Sequence, residues 1–402
     1  MTQSRIARIR IAIAHPRLGR GGSEARALRI IEAMRGLGEI TLLTMGPVDW
    51  PALNAAYGTT IRREEVSVMR PRIGRFMCSF PVGDAFRGCM FQRFCRSVAG
   101  RFDLLLSAYN LTDFGTRAIQ FIADFSFDEE LRTRFHPFSP GLRGLFQRER
   151  LLRKVYLGIC RRVGNRSPRD PMRDDLVVAN SQWVAGLIRA RYGVAAKVLY
   201  PPIDDGFPNV PWEKKENGFV CIGRVAPEKR IEQIVGILSD VRKMGHDVHL
   251  HVIGAIGTDA YGTRIKKLCQ ANSEWVIADG RLDGDMKKAM LAAHRYGIHA
   301  CQGEAFGIGV AEMVKAGCIP FVPAEGGAGE IVAHDALTYS DQEDAIKKIN
   351  AVLLRPVMQD DIGLHLARRM TTALRPVFVD ADVVLAVVNE FLAREGVREG
   401  RT

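Results

Sequence analysis

The sequence predicts an α/β chain of two domains, each a parallel sheet flanked by helices, with a cleft between them. Three observations predict it. The chain has 402 residues, against roughly 100–200 for a typical domain. Short apolar runs alternate with amphipathic stretches along its whole length, the pattern of parallel sheets wrapped in helices. Glycine is plentiful, at 39 residues, and supplies many tight strand-to-helix turns.

The elements follow in order. Residues 9–14 read as a first buried strand, and 23–37 as a helix whose Ala27, Ile30, Ile31 and Met34 share one face. Further strands are expected at 39–45, 103–107, 118–123, 176–180 and 197–200. Tyr200-Pro201-Pro202 forces an extended exit, and the polar, turn-rich stretch 203–218 reads as a linker. The second half restarts with a strand at 219–222, a helix at 228–244 and strands at 248–253 and 275–278. A helix at 284–294, a strand at 297–301, a helix at 308–316 and a strand at 319–323 continue it. A last helix at about 380–394 closes the chain. The expected units are 1–205, 206–378 and a tail, 379–402.

Composition excludes several classes. No stretch approaches the ~18 apolar residues of a membrane-spanning helix. The opening apolar run, Ile11-Ala-Ile-Ala14, is shorter than the ~7–15 residues of a signal-peptide core. The eight cysteines form no C-x-x-C pair and have no companion histidine at zinc-ligand spacing, so buried thiols in a reducing, cytoplasmic setting are expected. Charge is lopsided. Residues 1–200 carry 33 Lys+Arg and 17 Asp+Glu, a net of +16, and the remainder carries 24 and 28, a net of −4. The surplus is densest from Arg132 to Arg173. Such asymmetry points to an anionic acceptor or a membrane surface as partner, ahead of nucleic acid, for which no aromatic-interleaved stacking platform is present.

Four segments converge on a phosphorylated ligand. The turn His15-Pro-Arg-Leu-Gly-Arg-Gly-Gly-Ser-Glu24 follows the first strand, and Gly21 and Gly22 let backbone approach an anion at a helix start. It is no dinucleotide fingerprint, because Glu24 stands where the third glycine would fall. That disfavours an NAD-dependent oxidoreductase. Gly223-Arg224 with Pro227-Glu-Lys229 places two cations at the carboxyl edge of the second sheet, where they can offset a diphosphate. Gln302-Gly-Glu304-Ala-Phe-Gly307-Ile-Gly309-Val-Ala-Glu312 joins two carboxylates, suited to sugar hydroxyls and a ribose diol, by the amides of Phe306, Gly307, Ile308 and Gly309. Asp279-Gly-Arg-Leu-Asp283, with Arg281 and Leu282, borders the same edge.

These segments, with Gly326-Gly-Ala-Gly-Glu330, Asn180-Ser181 and Tyr200-Pro-Pro202, resemble family 4 retaining glycosyltransferases of the GT-B fold. Lipid-linked-oligosaccharide mannosyltransferases are the nearest kind. The resemblance implies two Rossmann-like domains with parallel sheets facing across a cleft. It implies a nucleotide-sugar donor, GDP-mannose or a UDP-hexose, held by the C-terminal domain. Arg224 and Lys229 would bind the diphosphate, Glu304 the transferred sugar and Glu312 the ribose. It further implies no metal and no cofactor, and a last helix that crosses back to the N-terminal domain. The acceptor would lie on that domain, where His15, Arg17, Tyr109 and Asp124 are the candidate contacts. Many relatives carry a histidine where this chain has Ala123-Asp124. Asp124 either takes that place beside the sugar or caps the following segment. Residues 143–166 mix apolar and basic side chains as a surface-seeking amphipathic helix does, though a helix packed on the sheet has the same pattern. A non-catalytic nucleotide-sugar-binding protein, and a transferase acting on nucleic acid or a small molecule, are the competing readings.

Overall fold

The structure, a computed structural model, describes residues 9–19, 21–71, 84–135, 150–164, 168–375 and 378–394. Seven strands form the first sheet: β1 (Ile9–Ala14), β2 (Gly38–Leu43), β3 (Val66–Met69), β4 (Leu104–Ser107), β5 (Ile119–Phe121), β6 (Leu176–Ala179) and β7 (Lys197–Val198). Six form the second: β8 (Glu216–Ile222), β9 (His249–Ile253), β10 (Val276–Gly280), β11 (His294–Ile298), β12 (Ile319–Pro323) and β13 (Thr338–Tyr339). Every pairing is parallel, in the orders β3-β2-β1-β4-β5-β6-β7 and β10-β9-β8-β11-β12-β13. Strand order reverses beside β1 in one sheet and beside β8 in the other. Open α/β sheets bind ligands at such points, beyond the carboxyl ends of the strands. The Gly21–Gly22 and Gly223–Lys229 turns leave the sheets there.

The helices that shape the argument are α1 (Gly22–Met34), α2 (Asp84–Val98), α3 (Arg150–Gly164), α4 (Gln182–Tyr192), α5 (Ile231–Lys243), α6 (Gly284–Ala293), α7 (Ile308–Lys315), α8 (Gly327–Val332) and α9 (Ala381–Arg394). Strand β1 shows why its sequence is almost wholly apolar: helices cover both faces. Ile11 and Ile13 join a core with Ala27, Leu28 and Ile31 of α1, whereas Ala12 and Ala14 join Phe91 and Cys95 of α2. Helix α9 packs Val384, Val387, Val388 and Phe391 into the same core as α1, so this helix lies on the first domain. An ion pair between Lys197 and Glu390 fastens it.

Several boundaries differ from the sequence pattern. Strand β8 begins at Glu216, inside the stretch 203–218 read as a linker, because its first two residues, Glu216 and Asn217, are polar and exposed. Strand β11 begins at His294, directly after α6 and three residues before the expected start, a beginning that its polar His294 and Arg295 conceal in the sequence. The helix expected from residue 228 begins at Ile231, after a 3-10 turn at Pro227–Lys229 and a left-handed Arg230 (φ 49°). Of the amphipathic stretch 143–166, residues 143–149 and 165–166 lie outside the described residues. Helix α3 packs on α2, not on the sheet: the Tyr156 hydroxyl accepts from Phe86 N (3.3 Å), and Arg93 donates to Val163 O (3.1 Å). Val155 and Ile159 remain exposed.

Candidate functional site

At the carboxyl edge of the second sheet, Lys229 and Glu304 form an ion pair, their side chains 22% and 20% exposed. Burial works against the Lys229 ammonium, but Glu304 outweighs it and raises its pKa. Burial likewise opposes the Glu304 carboxylate, yet Lys229 and His299 hold its pKa well below the usual range. His299 Nε2 lies 3.2 Å from Glu304 Oε2, in a buried position where desolvation lowers the imidazole pKa. The loop is held from below: Gly327 N donates to Glu304 O (2.8 Å) and Gly303 N to Glu325 O (3.1 Å). His299, Cys301 and Glu304 bring one donor atom each within 4.8 Å of one another. The Lys229 ammonium on Glu304 and the Cys301 thiol, which burial pushes up to about 12, both disfavour a metal there.

Helix α7 begins beside this pair. Gly307, its N-cap, has φ 99°, and the N–H groups of the first turn lack i−4 partners by construction. Across the cleft α1 starts almost against it. A Cβ added to Gly22 would fall 2.3 Å from Ile308 Cδ1, so a larger residue at 22 would push the Ile308 side chain aside. Phe306 contributes backbone alone. Its ring is buried and stacks on Tyr200, centroids 5.1 Å apart.

The flanking residues divide. Gly223 sits over the Lys229 stem, and Arg224 is exposed and paired with Glu228 (2.8 Å). Arg281 is tied to Asp283 (3.0 Å), with Leu282 half-buried against the core. Glu312 is not an open carboxylate. It is buried and paired with Lys287 (2.7 Å), which also reaches Asp204 (3.2 Å). A diol at Glu312 would therefore have to share it with Lys287.

On the first domain, the Gly21 N–H is not available to an anion as the sequence suggested. It donates to the Tyr57 hydroxyl (2.6 Å), while Glu24 takes Gly19 N (3.2 Å) and Ser23 Oγ (2.7 Å). His15 is buried against the Tyr109 ring (5.4 Å) with neither ring nitrogen hydrogen-bonded among the described residues, and burial pushes its pKa down to about 4. Arg17 is exposed beside Gly46. Asp124 accepts from Tyr109 Oη (2.9 Å), Asn110 Nδ2 (2.7 Å) and Ser126 N (2.7 Å). Three of its roughly four lone-pair directions are thus occupied. Asp124 caps the following turn and fixes Tyr109. Beneath it the buried Arg26 donates to Ile122 O (2.9 Å), Phe121 O (3.2 Å) and Ala108 O (3.2 Å).

Residues 203–368 match the family model described as glycosyl transferases group 1. That segment is similar to group 1 glycosyl transferases. The chain is similar to the GDP-Man:Man(3)GlcNAc(2)-PP-Dol alpha-1,2-mannosyltransferases of Mus musculus and Dictyostelium discoideum. The mouse protein is 28% identical over 173 residues, covering 38% of this chain and 35% of that protein. The Dictyostelium protein is 27% identical over 182 residues, covering 40% and 36%. The matched region thus spans about a third of these relatives' length. Among solved structures, WaaG, a glycosyltransferase involved in lipopolysaccharide biosynthesis, superposes with TM-score 0.63 at 15% identity over 90% of this chain and 95% of its own. Anabaena HepE in complex with UDP-glucose gives 0.65 at 14% identity over 96% and 100%. The fold is GT-B, as the sequence resemblance implied.

Within the matched segment the structure brings together Gly223, Lys229, Glu304 and the amides of 306–309. Arg224, Arg281 and Leu282 rim that edge, and Glu312 stands apart behind Lys287. His299, Lys287 and Asp204 were not singled out in the sequence. Only His299 left a signal there, as the one polar residue of the apolar run Gly297-Ile-His-Ala300.

Proposed function

We propose that this chain transfers a mannosyl group, or a closely related hexosyl group, from a nucleoside-diphosphate sugar to an acceptor hydroxyl with retention at the anomeric carbon. The observation that carries the reading is the Lys229–Glu304 pair beside the α7 N-terminus. A diphosphate arriving there meets an ammonium and a helix start, both suited to an anion. It frees the Glu304 carboxylate from part of its pairing to accept sugar hydroxyls. As the bond from the anomeric carbon to the diphosphate oxygen breaks, charge grows on that oxygen, so Lys229 and the amides stabilise the transition state more than the ground state. The new bond forms to the acceptor oxygen, whose proton passes to the departing phosphate. Tyr109, held by Asp124, and His15, packed on the Tyr109 ring, border the acceptor side.

The names of the sequence relatives support GDP-mannose as donor and a lipid-linked glycan as acceptor. The test incubates the protein with GDP-mannose, GDP-glucose, UDP-glucose and UDP-N-acetylglucosamine, each with a lipid-linked oligosaccharide. Nucleotide release and product anomer are followed by NMR. GDP release coupled to an α-linked product is expected. Tight donor binding with no sugar released from any donor would leave a binding protein instead.

A further inference from the structure

A second cluster of functional side chains lies at the opposite edge of the second sheet, at the start of its strands. Three histidines meet there: His249 and His251, on one face of β9, and His294, at the first residue of β11. Each brings one donor atom within 4.8 Å of the others. His249 Nε2 is 3.1 Å from His294 Nε2. Glu216, the first residue of β8, places Oε2 3.4 Å from His249 Nε2 and 3.9 Å from His294 Nε2.

Strand β8 runs between β9 and β11, and a side chain on it would keep these rings apart. The residue registered against His249 is Gly218. A Cβ there would fall 2.3 Å from His249 Nε2. A glycine inside a central strand sacrifices packing, and it recurs where something must approach the backbone closely. Here the imidazoles of the two outer strands meet over it.

The outward nitrogens are already committed. His251 Nδ1 faces both Asp279 carboxylate oxygens (2.9 and 3.0 Å), and His294 Nδ1 faces Met290 O (2.8 Å). Both partners accept, so each ring when neutral carries its proton on Nδ1 and keeps its lone pair on Nε2. Carboxylate or carbonyl support of this kind is what orients metal-bound histidines. Tetrahedral Zn2+ with bonds of ~2.0–2.1 Å separates its ligand atoms by roughly 3.3 Å, close to the 3.1 Å between His249 and His294 and the 3.4 Å between His249 and Glu216. Arg242, the basic side chain near His249, is drawn off by Asp247 (3.2 Å) and the Val248 carbonyl.

We propose that His249, His251, His294 and Glu216 bind Zn2+ at the amino-terminal edge of the second sheet, apart from the donor site. Three imidazoles and a carboxylate are a donor set that suits this ion. The site joins β8, β9 and β11 and leaves the transferase proposal untouched, since the readout is metal affinity.

The test strips the full-length protein with a chelator and titrates Zn2+ alone against a chromophoric competitor, with Co2+ as a spectroscopic probe. One ion per chain is expected, with the intense visible bands of tetrahedral Co2+. His249→Gln should weaken binding at least tenfold, and Asp279→Asn, which only loosens the His251 ring, by tenfold to a hundredfold. Cys301→Ser, in the donor-site cluster, should change nothing. Circular dichroism checks folding, and if His249→Gln does not fold, Glu216→Gln and Asp279→Asn decide. Absence of stoichiometric binding to the wild-type chain, or loss with Cys301→Ser and not with the edge variants, would overturn the site.

Discussion

The Glu330 carboxylate of the second domain accepts the backbone N–H groups of Gln182 and Trp183 in the first, at 3.0 Å each. These are the first residues of α4. The next N–H, of Val184, goes to the N-cap Ser181 Oγ (3.0 Å), whose own proton goes to Ala305 O (2.6 Å) in the second domain. The start of one helix is thus completed from across the cleft. It also anchors the loop that carries Glu304.

Removing that carboxylate should therefore cost stability as a lost cap does. Glu330→Ala is expected to destabilise by about 1 kcal/mol, which lowers Tm by roughly 2–4 °C in a domain of this size. Differential scanning calorimetry reads it. An unchanged Tm would mean that water replaces the carboxylate without loss.

Lys229 and Glu304 lend themselves to a double-mutant cycle. Either single change, Lys229→Met or Glu304→Gln, leaves a largely buried partner unpaired, at about 3 kcal/mol. The double variant should recover much of that stability. Turnover should not recover, because each group acts separately on the donor. Losses of roughly 10²- to 10³-fold are expected in all three variants. Recovery of turnover in the double variant would make the pair structural only.

Much of this site was legible before any coordinates. Alternating apolar runs gave the strands, because strands buried on both faces are almost wholly apolar, as in Ile11–Ala14. Glycines beside Lys229 and Glu304 marked the two turns that meet at the carboxyl edge of the second sheet. What was hidden depends on pairings between distant segments. Nothing in the spelling near Glu312 announces Lys287 or Asp204, and Asp124 looks like a free carboxylate until Asn110 and Tyr109 are folded onto it. No histidine stands near a cysteine at zinc-ligand spacing in the sequence. His249-Leu-His251 carries no metal spacing of its own, because the third ring comes 43 residues later (294 − 251) and the space for it is made by Gly218.

His15 should make stability depend on pH. Its folded pKa of about 4 lies below the ordinary 6.5, chiefly through burial. Between those values the unfolded chain takes up a proton that the folded chain refuses, so stability rises with pH across the window. The contribution is complete above about pH 6.5 and is lost progressively as pH falls toward 4, amounting to about 3 kcal/mol in all. Urea unfolding of the wild type and His15→Leu at pH 4.5, 5.5 and 7 isolates this one group. The variant should show the shallower slope, and equal slopes would count against a buried neutral imidazole.

Helix α3 offers a test of membrane contact. Val155 and Ile159, each 56% exposed, stand one turn apart on one face, with the exposed basic Lys154 and Arg162 nearby. The helix has 15 residues, so at 1.5 Å per residue it is about 22 Å long and shorter than the ~30 Å bilayer core. It suits lying along a surface. Burying the exposed half of each apolar side chain contributes about 1 kcal/mol, or about thirtyfold in affinity for the two together. The double variant Val155→Glu/Ile159→Glu should therefore bind phosphatidylglycerol vesicles at least thirtyfold more weakly than the wild type in a flotation assay, with like charge adding to the loss. Raising salt should weaken the wild type as well, since the arginines then lose their attraction for anionic headgroups. Equal flotation of variant and wild type would place the contact elsewhere on the basic half. Retention of both on duplex DNA with a steep salt slope would make nucleic acid the partner instead.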